Sequence, residues 1–297
     1  MLQRLQLYSH KLQFYYIFSM ATFTKFQKLL VSASTIGGAT FYYINSINKD
    51  RVHNSWTTDF KPSTKWDDNW DFRAPPSLIH PRKLNSEKDE NVINEQLELM
   101  KSTATRHIIL IRHGQYHIEG KSDEQRILTK LGRNQAEYAG KRLKELDFPY
   151  TDIIKSTMSR AQETGTIIAK FLPNIPVTEC NLIREGAPIP PEPPVGHWKP
   201  GVHQFYEDGA RIEAAFRKYF HRADPSQEKD SYTLLVCHAN VIRYFVCRAL
   251  QFPPEAWLRL SLNHASLTWI SITPSGRVIL RTLGDSGHMP ANIITSQ

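Results

Sequence analysis

The chain is poor in cysteine: Cys180, Cys237 and Cys247 are the only three in 297 residues. None belongs to a Cys-x-x-Cys pair, and three thiols leave one unpaired in any disulfide scheme. Neither a disulfide framework nor a cysteine-based zinc site is therefore implied, and a reducing compartment fits best. Acidic residues are missing altogether before Asp50. The net charge of +8 is correspondingly uneven: up to Phe60, Arg4, Lys11, Lys25, Lys28, Lys49 and Arg51 face only Asp50 and Asp59. The rest of the chain has no Lys/Arg block and no nucleic-acid motif, so no nucleic-acid partner is implied, and a modest basic cleft for phosphate is the economical reading. A hydrophobic content of 40% is ample for a core and argues against full-length disorder.

Long apolar runs are scarce too. The stretch 29–44 is apolar and small-residue rich and lies next to Lys25 and Lys28. It is shorter than the ~20 residues of a spanning helix, a length that 23–47 reaches if Lys28 snorkels. The acid-poor, basic and aromatic start favours mitochondrial delivery over a cleaved secretory signal, because no small-x-small site precedes a polar mature start. The expected organisation is a targeting and membrane-anchor segment over 1–48, with Met1 or Met20 as the start. A linker follows over 49–103, then a catalytic domain over 104–297. The linker carries Pro62, Pro75, Pro76 and Pro81 and does not read as a folded unit. Within it lies Trp66-Asp-Asp-Asn-Trp-Asp71, two indoles four residues apart among Asp67, Asp68 and Asp71. Burying a large apolar side chain is worth ~1.5–3 kcal/mol, so this segment is expected to dock on a surface.

In the domain, Arg106–Ile111 reads as a buried strand that stops at Arg112-His113-Gly114. Thr129 is the expected N-cap of a helix through Leu146, with Ala136, Ala139, Leu143 and Leu146 on one face. A strand over 152–155 leads to a helix capped by Ser159, and a second amphipathic helix is expected over 209–220. The strand 232–237 ends at His238, before a helix opened by Asn240; 267–272 and 277–283, joined at Pro274-Ser-Gly276, read as a closing hairpin. A short helix is expected over 91–101. Alternation of strand and helix predicts an α/β fold whose strand ends bring His113, His238 and the turn Ser156–Arg160 to one carboxyl edge. An imidazole there can attack phosphorus, and guanidiniums can hold the anion. Arg160 in a first helical turn opposes the macrodipole unless it faces an anion.

Arg112-His113-Gly114, Leu128-Thr129-x-Leu131-Gly132, Ser156-x-Met158-x-Arg160-x-x-Glu163-Thr164, Arg184-Glu185-Gly186 and Val236-Cys-His238-Ala-Asn240-Val-Ile-Arg243 together resemble the histidine phosphatase superfamily, the branch with cofactor-dependent phosphoglycerate mutase. The Trp66–Asp71 motif and Gly196-His-Trp-Lys-Pro200 add a closer resemblance to its mitochondrial serine/threonine protein phosphatases, the fifth member of the phosphoglycerate mutase family. The resemblance implies a three-layer α/β/α domain with His113 as a nucleophile that becomes phosphohistidine. Arg112, Arg160, His238 and Asn240 would bind phosphate, with His238 as an imidazolium, and Glu185 would be the acid and then the base. It implies no metal and no cofactor. It also implies homo-oligomers built through Trp66, Asp67, Asn69, Trp70 and Asp71, an outer mitochondrial membrane anchor, and phosphoprotein substrates such as mitogen-activated kinase kinase kinases. Relatives follow the motif with two arginines, whereas here Asp71 precedes Phe72-Arg73. A phosphoglycerate mutase using the same histidine and a weakly catalytic membrane adaptor are the competing readings.

Overall fold

Seven residues, Arg106–Arg112, form β1, and all but the first are buried. Their alternation decides the layering, since successive side chains of a strand point to opposite faces. Ile108 and Leu110 enter one core cluster and Ile109 and Ile111 the other. The computed structural model describes residues 64–80, 90–196 and 198–296. It divides into units 1–65 and 66–297. The expected anchor and both candidate starts lie outside the described residues, and among those no helix is long and apolar enough to cross a membrane.

Helices α1 (Pro75–Leu78) and α2 (Glu90–Leu99) precede the sheet. Then follow β1, α3 (Lys130–Leu146), β2 (Tyr150–Ser156), α4 (Ser159–Ala169), β3 (Val177–Cys180), α5 (Val202–Tyr219), β4 (Ser231–Cys237), α6 (Ala239–Ala249), β5 (Leu267–Ile272) and β6 (Val278–Asp285). The strand order is β3-β2-β4-β1-β5-β6. The first four are parallel neighbours, while β5 runs antiparallel to β1 and pairs with β6 as the expected hairpin. Ala139, Leu143 and Ile168 of α3 and α4 join one cluster, and Ile212, Phe216, Val241 and Phe245 of α5 and α6 join the other. The result is the expected three-layer α/β/α arrangement.

Thr129 caps α3 as expected, its side chain accepting from the Gly132 N–H at 3.0 Å. Ser159 does not cap α4. Met158 holds the N-cap position without a side-chain bond, and Asp123 from a distant loop accepts both the Ser159 N–H (3.1 Å) and its hydroxyl (3.3 Å). Helix α5 starts at Val202, about two turns before the sequence pattern suggests.

The two-tryptophan segment docks on its own domain. Trp70 is buried beside Phe216, with ring centroids 6.0 Å apart, and its Nε1 donates to the Gly276 carbonyl in the hairpin turn at 2.9 Å. Asp71 accepts from Arg222 Nη2 (2.7 Å), Nε (3.1 Å) and backbone N (2.8 Å). Asp67 exchanges two backbone bonds with the Gln251 amide, Asn69 accepts from the Ala74 N–H, and Trp66 packs partly buried against the core. Phe72 takes φ +56° and remains exposed, with the Arg217 guanidinium 5.4 Å from its ring centroid.

Burial alone would raise the Asp71 carboxyl, but its bonds from Arg222 outweigh that and hold its pKa below the usual value. The Asp71–Arg222 contribution is therefore present above pH 3.8 and is lost as pH falls through the lower folded pKa. Removing one partner strands a buried charge, so Asp71→Ala should destabilise the full chain by about 3 kcal/mol in denaturant unfolding at pH 7. A change under about 0.5 kcal/mol, the size of an ordinary surface substitution, would contradict this docking.

Candidate active site

Because β3, β2, β4 and β1 are parallel, their carboxyl ends share one edge, and β5 brings its amino end to the same edge. The chain leaves β1 toward β2 on one side and β4 toward β5 on the other, so the gap between β1 and β4 is a topological switch point, where open α/β sheets bind ligands. His113 follows β1 and His238 follows β4. Their ring centroids lie 5.1 Å apart, with His264, just before β5, 5.7 Å from His113.

His113 is held in one tautomer. Its Nδ1 lies 2.8 Å from the Gly114 carbonyl, an acceptor only, so Nδ1 carries the proton and Nε2 the lone pair. Arg160 Nε donates to that Nε2 at 3.2 Å, and the Arg160 guanidinium lies 4.7 Å from the Tyr116 ring centroid. Thr164, one turn along α4, ties the two together, accepting from the Gly114 N–H (3.1 Å) and donating to the Arg160 carbonyl (2.7 Å). Gly114 is required by this close approach, since a Cβ there would run into the Gly132 backbone at the start of α3.

His238 Nε2 is 2.8 Å from Ser156 Oγ, which also accepts from the Met158 N–H at 3.4 Å. The other ring nitrogen of His238, Nδ1, is buried with no hydrogen-bond partner. Arg112 donates through Nη1 to the carbonyls of Leu262 (2.6 Å) and Ser296 (2.9 Å), while its Nε is buried and unpartnered. Arg160 Nη1 and His264 Nε2 are in the same condition. Asp123 Oδ1 stands 3.7 Å from Arg160 Nη1. Unpartnered buried nitrogens of two guanidiniums and two imidazoles around one nucleophilic nitrogen are the chemistry of an oxyanion cradle.

Burial pushes the pKa of both His113 and His238 well below 6.5, aided by neighbouring positive groups, chiefly His238 and Arg160 for His113 and Arg160 and Arg112 for His238. Both rings are therefore neutral at pH 7. Burial first, and then the two nearby guanidiniums, disfavour the imidazolium expected at His238 while the site is free. Burial lowers Arg112 to about 10, against the attraction of Glu185, and it stays charged. Glu185, half-buried, is raised above 4.5 by burial in spite of Arg160, Arg112 and Arg243. A carboxyl shifted upward beside cations is suited to carry a proton.

Of the residues expected at the site, Arg112, His113, Arg160, Glu185 and His238 come together. Asn240, also expected to bind phosphate, donates its side-chain amide to the Gly186 carbonyl at 3.1 Å and accepts from Arg243 Nη1 at 3.3 Å. Trp66, Asp67, Asn69, Trp70 and Asp71 sit in the docked segment described above. Sequence reasoning missed His264, Ser156, Thr164 and Asp123 as partners of the site. Ser156 and Thr164 lie inside a motif already in view. His264 has no local signature, and only its place before the strand antiparallel to β1 marks it.

The model of the histidine phosphatase superfamily (branch 1) matches residues 108–187 and 192–284. The chain is 54% identical over 285 residues to "Serine/threonine-protein phosphatase Pgam5, mitochondrial" of Drosophila pseudoobscura pseudoobscura, covering 94% of this chain and 97% of the relative. It is 53% identical over 285 residues to the protein of the same name in Drosophila grimshawi, with the same coverage. Among solved structures, phosphoglycerate mutase from Plasmodium falciparum matches with 34% identity and a TM-score of 0.46, over 64% of this chain and 96% of that one.

Histidines neutral in the fold but protonated when unfolded make stability fall as pH drops below 6.5. The loss continues toward the folded values, about 3 for His264, at a slope of up to about 1.4 kcal/mol per pH unit for each such histidine. Nitrogen-15 spectra of the imidazoles should show His113 and His238 neutral from pH 7.5 to 6.0. A titration of either near 6.5 would contradict the electrostatics described.

Proposed function

The chain belongs to the histidine phosphatase superfamily (branch 1), and from that premise we propose that it is a protein serine/threonine phosphatase working through a phosphohistidine. The observation that carries the reading is the fixed His113 tautomer, its Nε2 lone pair 3.2 Å from Arg160 Nε and surrounded by buried donors without acceptors.

A phosphate ester entering the cradle takes the N–H groups of Arg112, Arg160 and His238 onto its oxygens, which frees His113 Nε2 for in-line attack. The Nε2–P bond forms as the P–O bond to the Ser or Thr side chain breaks, and Glu185 gives its proton to the departing oxygen. Water then attacks phosphorus, Glu185 takes its proton, the N–P bond breaks and inorganic phosphate leaves. His113 begins and ends neutral, with Nδ1–H still on the Gly114 carbonyl. Once a dianion is bound, the balance of charge at His238 favours its protonated form, so the imidazolium belongs to the liganded site.

The printed names of the curated relatives support protein phosphoserine and phosphothreonine as substrates and a mitochondrial setting. An outer-membrane anchor within 1–48 and signalling kinases as substrates extend the same reading. So does homo-oligomer assembly. Trp70 and Asp71 are seated on their own domain, so assembly through the segment uses either its exposed side or its exchange between copies.

In the full chain, His113→Ala should abolish both phosphate release from a phosphothreonine peptide and the alkali-stable phosphohistidine trapped by quenching. Glu185→Ala should slow that peptide by about 100-fold or more and an aryl phosphate far less, because a phenolate leaves without a proton. Retained peptide hydrolysis in His113→Ala would refute the proposal, and brisk transfer between phosphoglycerates with no peptide turnover would favour a mutase.

A further inference from the structure

Helix α5 contributes no side chain to the donor cradle, yet two of its residues grip the loop that carries Glu185. Arg211 Nη1 donates to the carbonyls of Leu182 (2.9 Å) and Arg184 (2.7 Å). Its Nη2 donates to the Glu185 carbonyl (3.1 Å) and to Asp208 Oδ1 (2.6 Å). The other oxygen of Asp208 accepts the Ala187 N–H at 2.9 Å. One ion pair thus fixes four backbone groups between 182 and 187. Gly186 is required in the middle of this grip, because a Cβ there would collide with the Asp208 carboxyl and Arg211 Nη2. From the opposite side, Asn240 of α6 holds the Gly186 carbonyl at 3.1 Å.

The chemistry of the two side chains suits this task. A planar guanidinium can address several carbonyls at fixed angles, which a lysine ammonium, a point charge on a flexible stem, cannot. Both partners are about four-fifths buried, at 21% and 18% exposure, so the pair is shielded from competing water. The pair lies on an α-helix rather than on the loop itself, and a helix is the more rigid support for a reacting group.

We infer that Arg211 and Asp208 are positioning residues that set where the Glu185 carboxyl meets the leaving oxygen, and so tune the enzyme for alcohol leaving groups. The inference rests on the reading of Glu185 as the proton donor. Misplacing a reacting group by about 1 Å costs on the order of 100-fold in rate. A loop released from α5 also gives Glu185 back to water, and the burial that raises its pKa is lost. The acid then deprotonates at lower pH. In the transfer step an aryl phosphate, whose leaving group needs no proton, is indifferent to both effects; the later hydrolysis of the phosphohistidine, where Glu185 acts as base, is common to both substrates.

The test compares full-length Arg211→Ala, Arg211→Lys, Asp208→Asn and Glu185→Gln with the parent chain. For each, kcat and KM are measured against pH on a phosphothreonine peptide and on p-nitrophenyl phosphate, beside the melting temperature. Arg211→Ala should lower kcat/KM on the peptide, which reports the transfer step, by about 30-fold or more, with kcat/KM on the aryl phosphate changed by no more than about threefold. The basic limb of its peptide profile should move to lower pH. Arg211→Lys should recover part of the loss, and Asp208→Asn should fall in the same direction by less. Equal losses on both substrates, or no loss, would overturn the inference. Should Arg211→Ala fail to fold, Arg211→Lys and Asp208→Asn carry the same comparison between substrates. If Glu185→Gln shows the split between substrates and the α5 variants do not, the positioning role alone is refuted. If Glu185→Gln shows no split, the proton-donor reading falls and this inference with it.

Discussion

Arg112 and Arg160 are desolvated beside two neutral imidazoles, and the mutual repulsion of those guanidiniums is the constraint the rest of the site accommodates. Burial lowers the pKa of both arginines and would be prohibitive without partners. The fold supplies partners only in part. Arg112 is steadied by the carbonyls of Leu262 and Ser296, and Arg160 by the Asp123 carboxylate at 3.7 Å and the face of Tyr116. Each arginine keeps one buried N–H unsatisfied. A dianion completes what the protein leaves open, so the free site is poised at a cost in stability that ligand binding returns.

That same positive field decides the protonation states. It keeps His113 neutral and therefore nucleophilic, and keeps His238 neutral until an anion arrives. Glu185 responds to two opposed influences, burial raising it and three arginines lowering it, and the net rise depends on its loop remaining where α5 and α6 hold it. The proposed nucleophile, cradle and acid are thus coupled through charge, while their positions come from separate elements: β1, β4 and α4 for the first two, α5 and α6 for the third.

Much of this was legible in the sequence where information is local. The apolar runs before Arg112 and His238 identify β1 and β4, and a strand's end fixes where the next side chain stands. The Thr129 cap and the hairpin at Gly276 follow from neighbouring residues alone. Glu185 was legible only through resemblance to a family, because its loop has no periodic pattern. What escaped reading is non-local. Asp123 replaces Ser159 as the cap of α4 from 36 residues away. Arg222 meets Asp71 across 151 residues, and His264 reaches His113 only because β5 runs antiparallel beside β1. The sequence distance in each case is bridged by topology, which side-chain spacing does not encode.

The central claim is that the buried donors of Arg112, Arg160, His238 and His264 form one anion site whose unmet bonds a phosphate satisfies. The most direct measurement is the thermal unfolding of the full-length chain with increasing inorganic phosphate, beside Arg160→Ala. A ligand bound only by the folded state raises the melting temperature in proportion to the logarithm of its concentration once the site is saturated. The account predicts such a rise for the parent chain and its loss in Arg160→Ala. No rise, or an equal rise in both, would contradict it.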